Sequence, residues 1–191
     1  MSDPSKSICR KLDALYAAGK LDRVEEYLLT ELIKNQPRNG EFSASFITVL
    51  FELGVYFRNI KKYSRSRDWF LLLGRVVSCH LGETSVAYAA VLENVASTYE
   101  LAGNFDPALH LFMQALQIYK GAKGPRPIRY ARLKRHICAL FGAQGDFHAA
   151  LIFYPLLPGM AAEEGHVSGT GACREAGRPK ISKVLLFRCK E

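Results

Sequence analysis

A chain of 191 residues, 49% of them hydrophobic and carrying a formal charge of +8, can bury a core as one globular unit or as one short array of repeats. Its longest apolar runs, VLFELGVYF and WFLLLG, fall far short of the ~20 residues of a membrane-spanning helix, so no membrane association is expected. The start, MSDPSKSICRKLDALYAAG, has no apolar segment followed by a small-residue cleavage site, and the cysteines (Cys9, Cys79, Cys138, Cys173, Cys189) form no C-x-x-C pair. Cytoplasmic residence with reduced thiols is the expectation.

The charge is unevenly placed. Basic residues crowd into 58–67 (Arg58, Lys61, Lys62, Arg65, Arg67) and 120–135 (Lys120, Lys123, Arg126, Arg129, Arg132, Lys134, Arg135), while 83–106 carries Glu83, Glu93, Glu100 and Asp106 with no Lys or Arg. Basic blocks of this kind are either an anion-binding surface or a solvated face.

Along the chain, the elements repeat. The stretches YELAGNFDPALHLF (99–112) and FGAQGDFHAALIFY (141–154) place an aromatic, a Gly, a Phe, an Ala, a Leu and a second aromatic at the same offsets, 42 residues apart. The same offset relates Leu21, Tyr63, Phe105 and Phe147; Val24, Ser66, Ala108 and Ala150; Leu28, Phe70, Phe112 and Tyr154; and, at the joints, Gly40, Gly82 and Gly124. Self-similarity at such a period marks a repeat architecture.

The first unit is a hairpin near 5–37, within a degenerate N-terminal segment 1–42. The second, 43–80, sets Leu50, Leu53 and Phe57 at helical spacing before a break at RNIKK. The third, 85–122, repeats this with Leu92, Val95 and Tyr99 before AGN, and the fourth, 127–157, breaks at QGD. Each unit is therefore predicted as two amphipathic helices. The small residues Gly54, Ala96, Ala108, Cys138 and Ala150 would let helix backbones approach, with aromatics filling the space beside them. Cys138 reads as a buried, hydrophobe-like thiol, and Trp69 as core.

The pattern Leu92, Val95, Ala96, Tyr99, Gly103, Ala108, Phe112, Ala115 resembles the tetratricopeptide repeat, in the 42-residue form of kinesin light chains and related arrays. The likeness covers roughly 43–154 and reaches weakly into the first 40 residues. It implies an all-α fold, a right-handed α-α superhelical solenoid of helical hairpins, serving as a non-catalytic scaffold for protein-protein interaction. There are departures: Lys134 stands where Leu50 and Leu92 stand, and Gly74 is expected to interrupt a second helix where Leu116 stands later.

The tail, 158–191, follows no phase of the period and is expected to be irregular or disordered. Pro155 and Pro158 should end the last helix early, because an interior proline costs ~3 kcal/mol. No polar capping helix is visible, although repeat arrays ordinarily close with one. Either KISKVLLFRC folds back over the open end, or the chain is a truncated or frame-shifted copy of a longer array. The second reading is adopted. Leu151, Phe153, Tyr154 and Leu157 would then face water and favour self-association.

Catalytic and cofactor motifs are missing. GTGACREAG has Arg174 where a dinucleotide fingerprint needs its third Gly, GHVSG has Val where a nucleophile would stand, and no phosphate loop or H-E-x-x-H occurs. The histidines (His80, His110, His136, His148, His166) show no paired metal-ligand spacing with the cysteines. No enzyme, metal or cofactor is expected.

In the resembling family, the first helix of each unit lines the concave side and carries the recognition surface. The stripe that avoids the repeated apolar positions runs through Phe51, Val55 and Arg58, then Glu93, Ser97 and Glu100, then Arg132, Arg135 and Ala139. Asn94, Arg132 and His136 also match in kind part of the polar set with which some tetratricopeptide domains grip a C-terminal carboxylate. Phe51 and Val55, however, occupy the places of its Lys and Asn, which leaves local packing and hydrogen bonding as the reading for Asn94. The leading expectation is a peptide or protein segment bound in this groove. The alternative is RNA or another polyanion bound through blocks 58–67 and 120–135, which lack interleaved aromatics for stacking.

Overall fold

The computed structural model describes residues 4–37, 41–122 and 127–153. Every regular element among them is an α-helix, in the order α1 (Pro4–Ala17), α2 (Leu21–Lys34), α3 (Ala44–Asn59), α4 (Tyr63–Leu81), α5 (Val86–Leu101), α6 (Phe105–Gly121), α7 (Pro127–Ala143) and α8 (Phe147–Phe153). The helices pair as hairpins, α1 with α2 through α7 with α8. The chain divides into two compact units, Met1–Pro125 with α1 to α6 and Arg126–Glu191 with α7 and α8.

The period is written into the backbone. The second helices begin at Leu21, Tyr63, Phe105 and Phe147, the first of the series that recur in the sequence. Each first helix ends in the same way. The amide of residue 20, 62, 104 or 146 donates to the carbonyl five residues back, and that of 19, 61, 103 or 145 to the carbonyl three back. This double closure is a Schellman motif, and it needs a residue in the left-handed region. Gly19, Gly103 and Gly145 supply it at φ 67, 79 and 80°, whereas the second hairpin uses Lys61 at φ 60°. The starts are matched too. Ser43 Oγ accepts from the Phe46 amide and Ser85 Oγ from the Tyr88 amide, each at 3.1 Å, and so satisfies an amide that the helix itself leaves open.

The cores follow from that register. Val49, Leu53 and Tyr56 on α3, Val91, Val95 and Thr98 on α5, and Leu133, Ile137 and Leu140 on α7 are buried at a spacing of four and three that keeps them on one helix face. Val24, Ser66, Ala108 and Ala150 answer them from the second helices, with Leu28, Phe70 and Phe112 one turn on. Tyr154, Gly40 and Gly124 of the predicted series lie outside the described residues. The first hairpin is fully integrated. Ile8, Leu12, Val24 and Leu28 form one cluster with Val49, Leu53, Tyr56 and Phe57 of α3, and Trp69 packs against it half-buried.

Two expectations, at Gly74 and Cys138, are corrected. Gly74 does not interrupt α4, which is continuous to Leu81, because glycine lowers helix propensity without blocking the hydrogen-bond ladder. Lys134 leaves the α7 core intact, since Leu133, Ile137 and Leu140 carry it, and its ammonium stands 5.5 Å from the Tyr130 ring. Cys138 is half-buried rather than buried. In the second unit, Phe153 stacks on Phe141 at 5.7 Å while Leu151 is 72% exposed. Leu157, Pro155, Pro158 and the tail lie outside the described residues.

Two buried glycines have opposite roles. A Cβ built on Gly54 would stand 2.6 to 2.8 Å from the Phe70 ring, which Phe51 braces edge-on at 5.7 Å. Gly54→Ala should therefore destabilise the fold by about 1 to 3 kcal/mol through overpacking. At Gly74 the same atom would meet Val91 at 3.6 Å and Tyr88 at 3.9 Å, ordinary contacts. Gly74→Ala should gain about 0.5 to 1 kcal/mol from helix propensity. Urea denaturation of the two variants checks the pair, and equal signs would contradict this packing.

Lys61 supplies a second test. A side chain in the left-handed region costs about 1 to 2 kcal/mol, part of which glycine returns through its freer unfolded chain. Lys61→Gly should raise stability by roughly 0.5 to 1 kcal/mol and Gly103→Ala should lower it. Thermal melts of both at equal concentration would show it.

Candidate functional site

The residues of the predicted stripe fall on three first helices. Phe51, Val55 and Arg58 lie on α3 and Glu93, Asn94, Ser97 and Glu100 on α5, all in the first unit; Arg132, Arg135 and His136 lie on α7 in the second. Arg132 and Arg135 are exposed and His136 is half-buried.

Within the first unit, the structure joins part of this set. Arg58 Nη1 reaches from the last turn of α3 to donate to Asn94 Oδ1 at 3.1 Å, and its guanidinium lies 5.4 Å from the centre of the Phe70 ring. Asn94 is fixed from the other side, its Nδ2 donating to the Ala90 carbonyl at 2.7 Å. Local packing and hydrogen bonding is therefore what the structure gives this residue. Burial lowers the Arg58 pKa from its ordinary value, because desolvation disfavours the charged form.

Two members of the stripe face inward. Phe51 is buried against Phe70, and Glu93 is buried with its carboxylate accepting from the Tyr119 hydroxyl of α6. Val55, Ser97 and Glu100 are half-exposed. A buried hydroxyl relay ties the hairpins together beneath them. Ser66 Oγ donates to the Gly54 carbonyl at 2.7 Å and lies 3.4 Å from Thr98 Oγ1, which donates to the Asn94 carbonyl at 2.8 Å.

Sequence reasoning missed Glu52. It stands one residue before Leu53 in an apolar run and is only 9% exposed, and burial pushes its carboxyl from 4.5 up to about 7. Tyr16 of α1 is raised as well, by its own burial first, then by the Glu52 charge and by Tyr56. A signal was available. Glu52, Asn94 and His136 share one position of the 42-residue period, polar in each unit amid apolar neighbours.

Outside this stripe the described surface includes two open clefts. One, of about 390 Å³, is lined by Glu25, Leu29, Phe57, Arg65, Asp68 and Trp69. The other, of about 210 Å³, lies between α4 and α5 beside Gly74. The second is lined by Ser78 and Glu83 among others, with the Ser78 hydroxyl donating to the Arg75 carbonyl at 3.1 Å. Among the described residues no group of three His, Cys, Asp or Glu is placed to hold a metal, and no helix is long and apolar enough to cross a membrane.

Hairpins of this length, closed by one turn motif, are found in known structures. The chain has a TPR-like repeat fold. It is similar to BtubC (BKLC) from P. vanneervenii, with TM-score 0.67 and 21% identity over 80% of this chain and 62% of that one. A Podosopora anserina protein of kinesin light chain type, with nearly identical TPR-like repeats, matches at TM-score 0.65 and 15% identity, over 80% of this chain and 74% of that one. MamA matches at TM-score 0.55 and 15% identity, over 80% and 76%. This chain thus spans less than two thirds of BtubC. No protein-family model matches the sequence, and no curated protein matches it. At these identities, what the TPR-like solenoids share with this chain is the fold.

Glu52 makes stability depend on pH. Its carboxyl binds a proton more tightly folded than unfolded, so its contribution is full below about pH 4.5 and is lost as pH rises through about 7. The loss is on the order of 2 to 3 kcal/mol. Glu52→Gln should remove most of this fall and be more stable than the parent at pH 8. Urea melts at pH 5 and pH 8 check it, and parallel pH profiles for the two proteins would refute the assignment.

Proposed function

We propose that this TPR-like chain is a non-catalytic scaffold that binds a peptide or protein segment along the first-helix face of α3 and α5. The observation that carries the reading is the combination on that face of half-exposed, structurally uncommitted positions, Val55 and Ser97, with a fixed polar pair, Arg58 and Asn94. A rigid surface of mixed apolar and polar groups suits an extended segment, which then loses little affinity to ordering of its receptor. The repeat fold supports the same class of function.

The polyanion reading draws less support. In block 58–67, Arg58 is half-buried against Phe70, Arg65 lies 5.6 Å from the Phe57 ring and Arg67 5.7 Å from the Tyr99 ring, so these cations and aromatics are engaged with one another rather than spread as a stacking platform.

Panning a random phage-displayed peptide library against the full chain should enrich peptides whose binding falls by at least about tenfold with Val55→Arg or Ser97→Arg. Gln117→Arg, on the exposed side of α6, should leave it unchanged. Peptides that ignore both first-helix variants and are lost with Gln117→Arg would move the binding face to the second helices. Binding of single-stranded RNA in preference to any peptide, at physiological salt, would favour the polyanion instead.

A further inference from the structure

We infer that the cleft between α4 and α5 receives a free aliphatic α-amino acid of leucine's size, its side chain seated beside Gly74 and its two backbone charges met at the mouth by Arg75 and Glu83. The inference does not rest on the peptide face.

The first ground is a missing side chain. The 42-residue period sets Gly74 in register with Leu32 of α2 and Leu116 of α6. Leu32 packs on the cluster that contains Val49 and Leu53 of α3, and Leu116 is buried. One repeat on, the counterparts of Val49 and Leu53 are Val91 and Val95, and both line the cleft. What a leucine fills in the first hairpin therefore stands open in the second. A Cβ at position 74 would meet ordinary contacts, 3.6 Å to Val91 and 3.9 Å to Tyr88, so helix packing does not require the glycine there. Glycine inside a helix is also less favourable than alanine. The opening comes at a cost to stability and has room for a group brought from outside.

The second ground is the size and lining of that opening. Its volume of about 210 Å³ lies below the ~300 to 1,000 Å³ of sites that take drug-sized ligands, so the occupant is small. The floor is apolar, since Phe70, Val91, Leu92 and Val95 are all buried. An aliphatic group seated there leaves water without stranding a polar atom.

The third ground is charge of both signs at the mouth. Arg75 follows Gly74 and is exposed on α4, and Glu83 lies exposed in the connection to α5. The half-buried Tyr88 has its pKa raised, by burial first and then by the Glu83 charge, which places that carboxylate near the phenol. Ser78 lines the cleft as well. Its hydroxyl proton is committed to the Arg75 carbonyl at 3.1 Å, which leaves its oxygen as an acceptor. A free α-amino acid bears a carboxylate and an ammonium on one carbon next to the side chain. The carboxylate pairs with Arg75, and the ammonium with Glu83 and the Ser78 oxygen. A leucine within a peptide has neutral amides in place of both charges and gains nothing from this mouth.

The test uses the full chain, labelled with carbon-13 in the Val and Leu methyl groups, and L-leucine as the probe. Saturable shifts of the Val91 and Val95 methyl signals are expected, with Kd on the order of 1 mM because exposed charge pairs contribute little. 4-Methylpentanoate and 3-methylbutylamine, each lacking one charge, should bind about two- to fivefold more weakly, and N-acetyl-L-leucinamide, lacking both, at least about fivefold more weakly. L-Alanine, which leaves the floor bare, should lose at least about tenfold. Gly74→Leu, which gives α4 the residue of α2 and α6, should abolish the shifts while melting no lower than the parent. Arg75→Gln, at an exposed position that leaves the fold intact, should weaken leucine about two- to fivefold, and it carries the test if Gly74→Leu fails to fold. N-acetyl-L-leucinamide binding as tightly as leucine, or unchanged affinity in Arg75→Gln, would overturn the amino-acid assignment. Leucine shifts that survive in folded Gly74→Leu, or no saturable shift in the unaltered chain, would overturn the site.

Discussion

The first unit depends on the seat of one ring. Phe70 is completely buried on α4, pressed onto the α3 backbone at Gly54, met edge-on by Phe51 and covered by the Arg58 guanidinium. The ring thereby sets how closely α3 and α4 approach, since interhelical distance follows the side chains at the contact. It also sets the height at which Arg58 stands, and so the reach of its fork toward Asn94 on α5. Packing and recognition are not separable here. The contact that closes the second hairpin is the one that presents the charged group of the candidate face.

Around this seat, the interior is less apolar than the sequence suggests. Ser66, Thr98, Glu52 and Glu93 are buried in the same first unit. Two of them satisfy each other and the Gly54 and Asn94 carbonyls, and Glu93 is held by Tyr119. Such contacts add direction to helix packing that dispersion alone leaves free to slide, because a hydrogen bond made in a low-dielectric interior is lost at full cost when the register shifts.

The repeat was legible because it is carried by residue size and apolarity at a fixed offset, and both survive substitution. Leu21, Tyr63, Phe105 and Phe147 share little chemistry, yet each opens a second helix. What escaped was set by backbone angle or by surroundings. Lys61 carries no compositional sign of a left-handed turn; only the glycines at 19, 103 and 145 reveal the position. Glu52 looks like one more charge on a helix until α1 covers it. The candidate face was legible as a list of positions, but not in its contacts: Phe51 and Glu93 were read as lining residues and are buried, while Arg58 and Asn94 were read separately and are bonded to each other. Local pattern specifies which helix a residue occupies, whereas a side chain's partner depends on the neighbouring hairpin.

The pairing of Phe51 with Gly54 has a consequence for how such an array can change. At the equivalent positions, the third hairpin has Glu93 and Ala96, a different but equally consistent solution. Because helix lengths and turns agree, whole hairpins could in principle be exchanged by recombination between repeats. A short exchange that put alanine at 54 while leaving Phe51 and Phe70 in place would bring the alanine methyl into overlap with the Phe70 ring. Duplicated hairpins that have diverged in this way are no longer interchangeable in part. At this contact the aromatic and the small residue work only as a set.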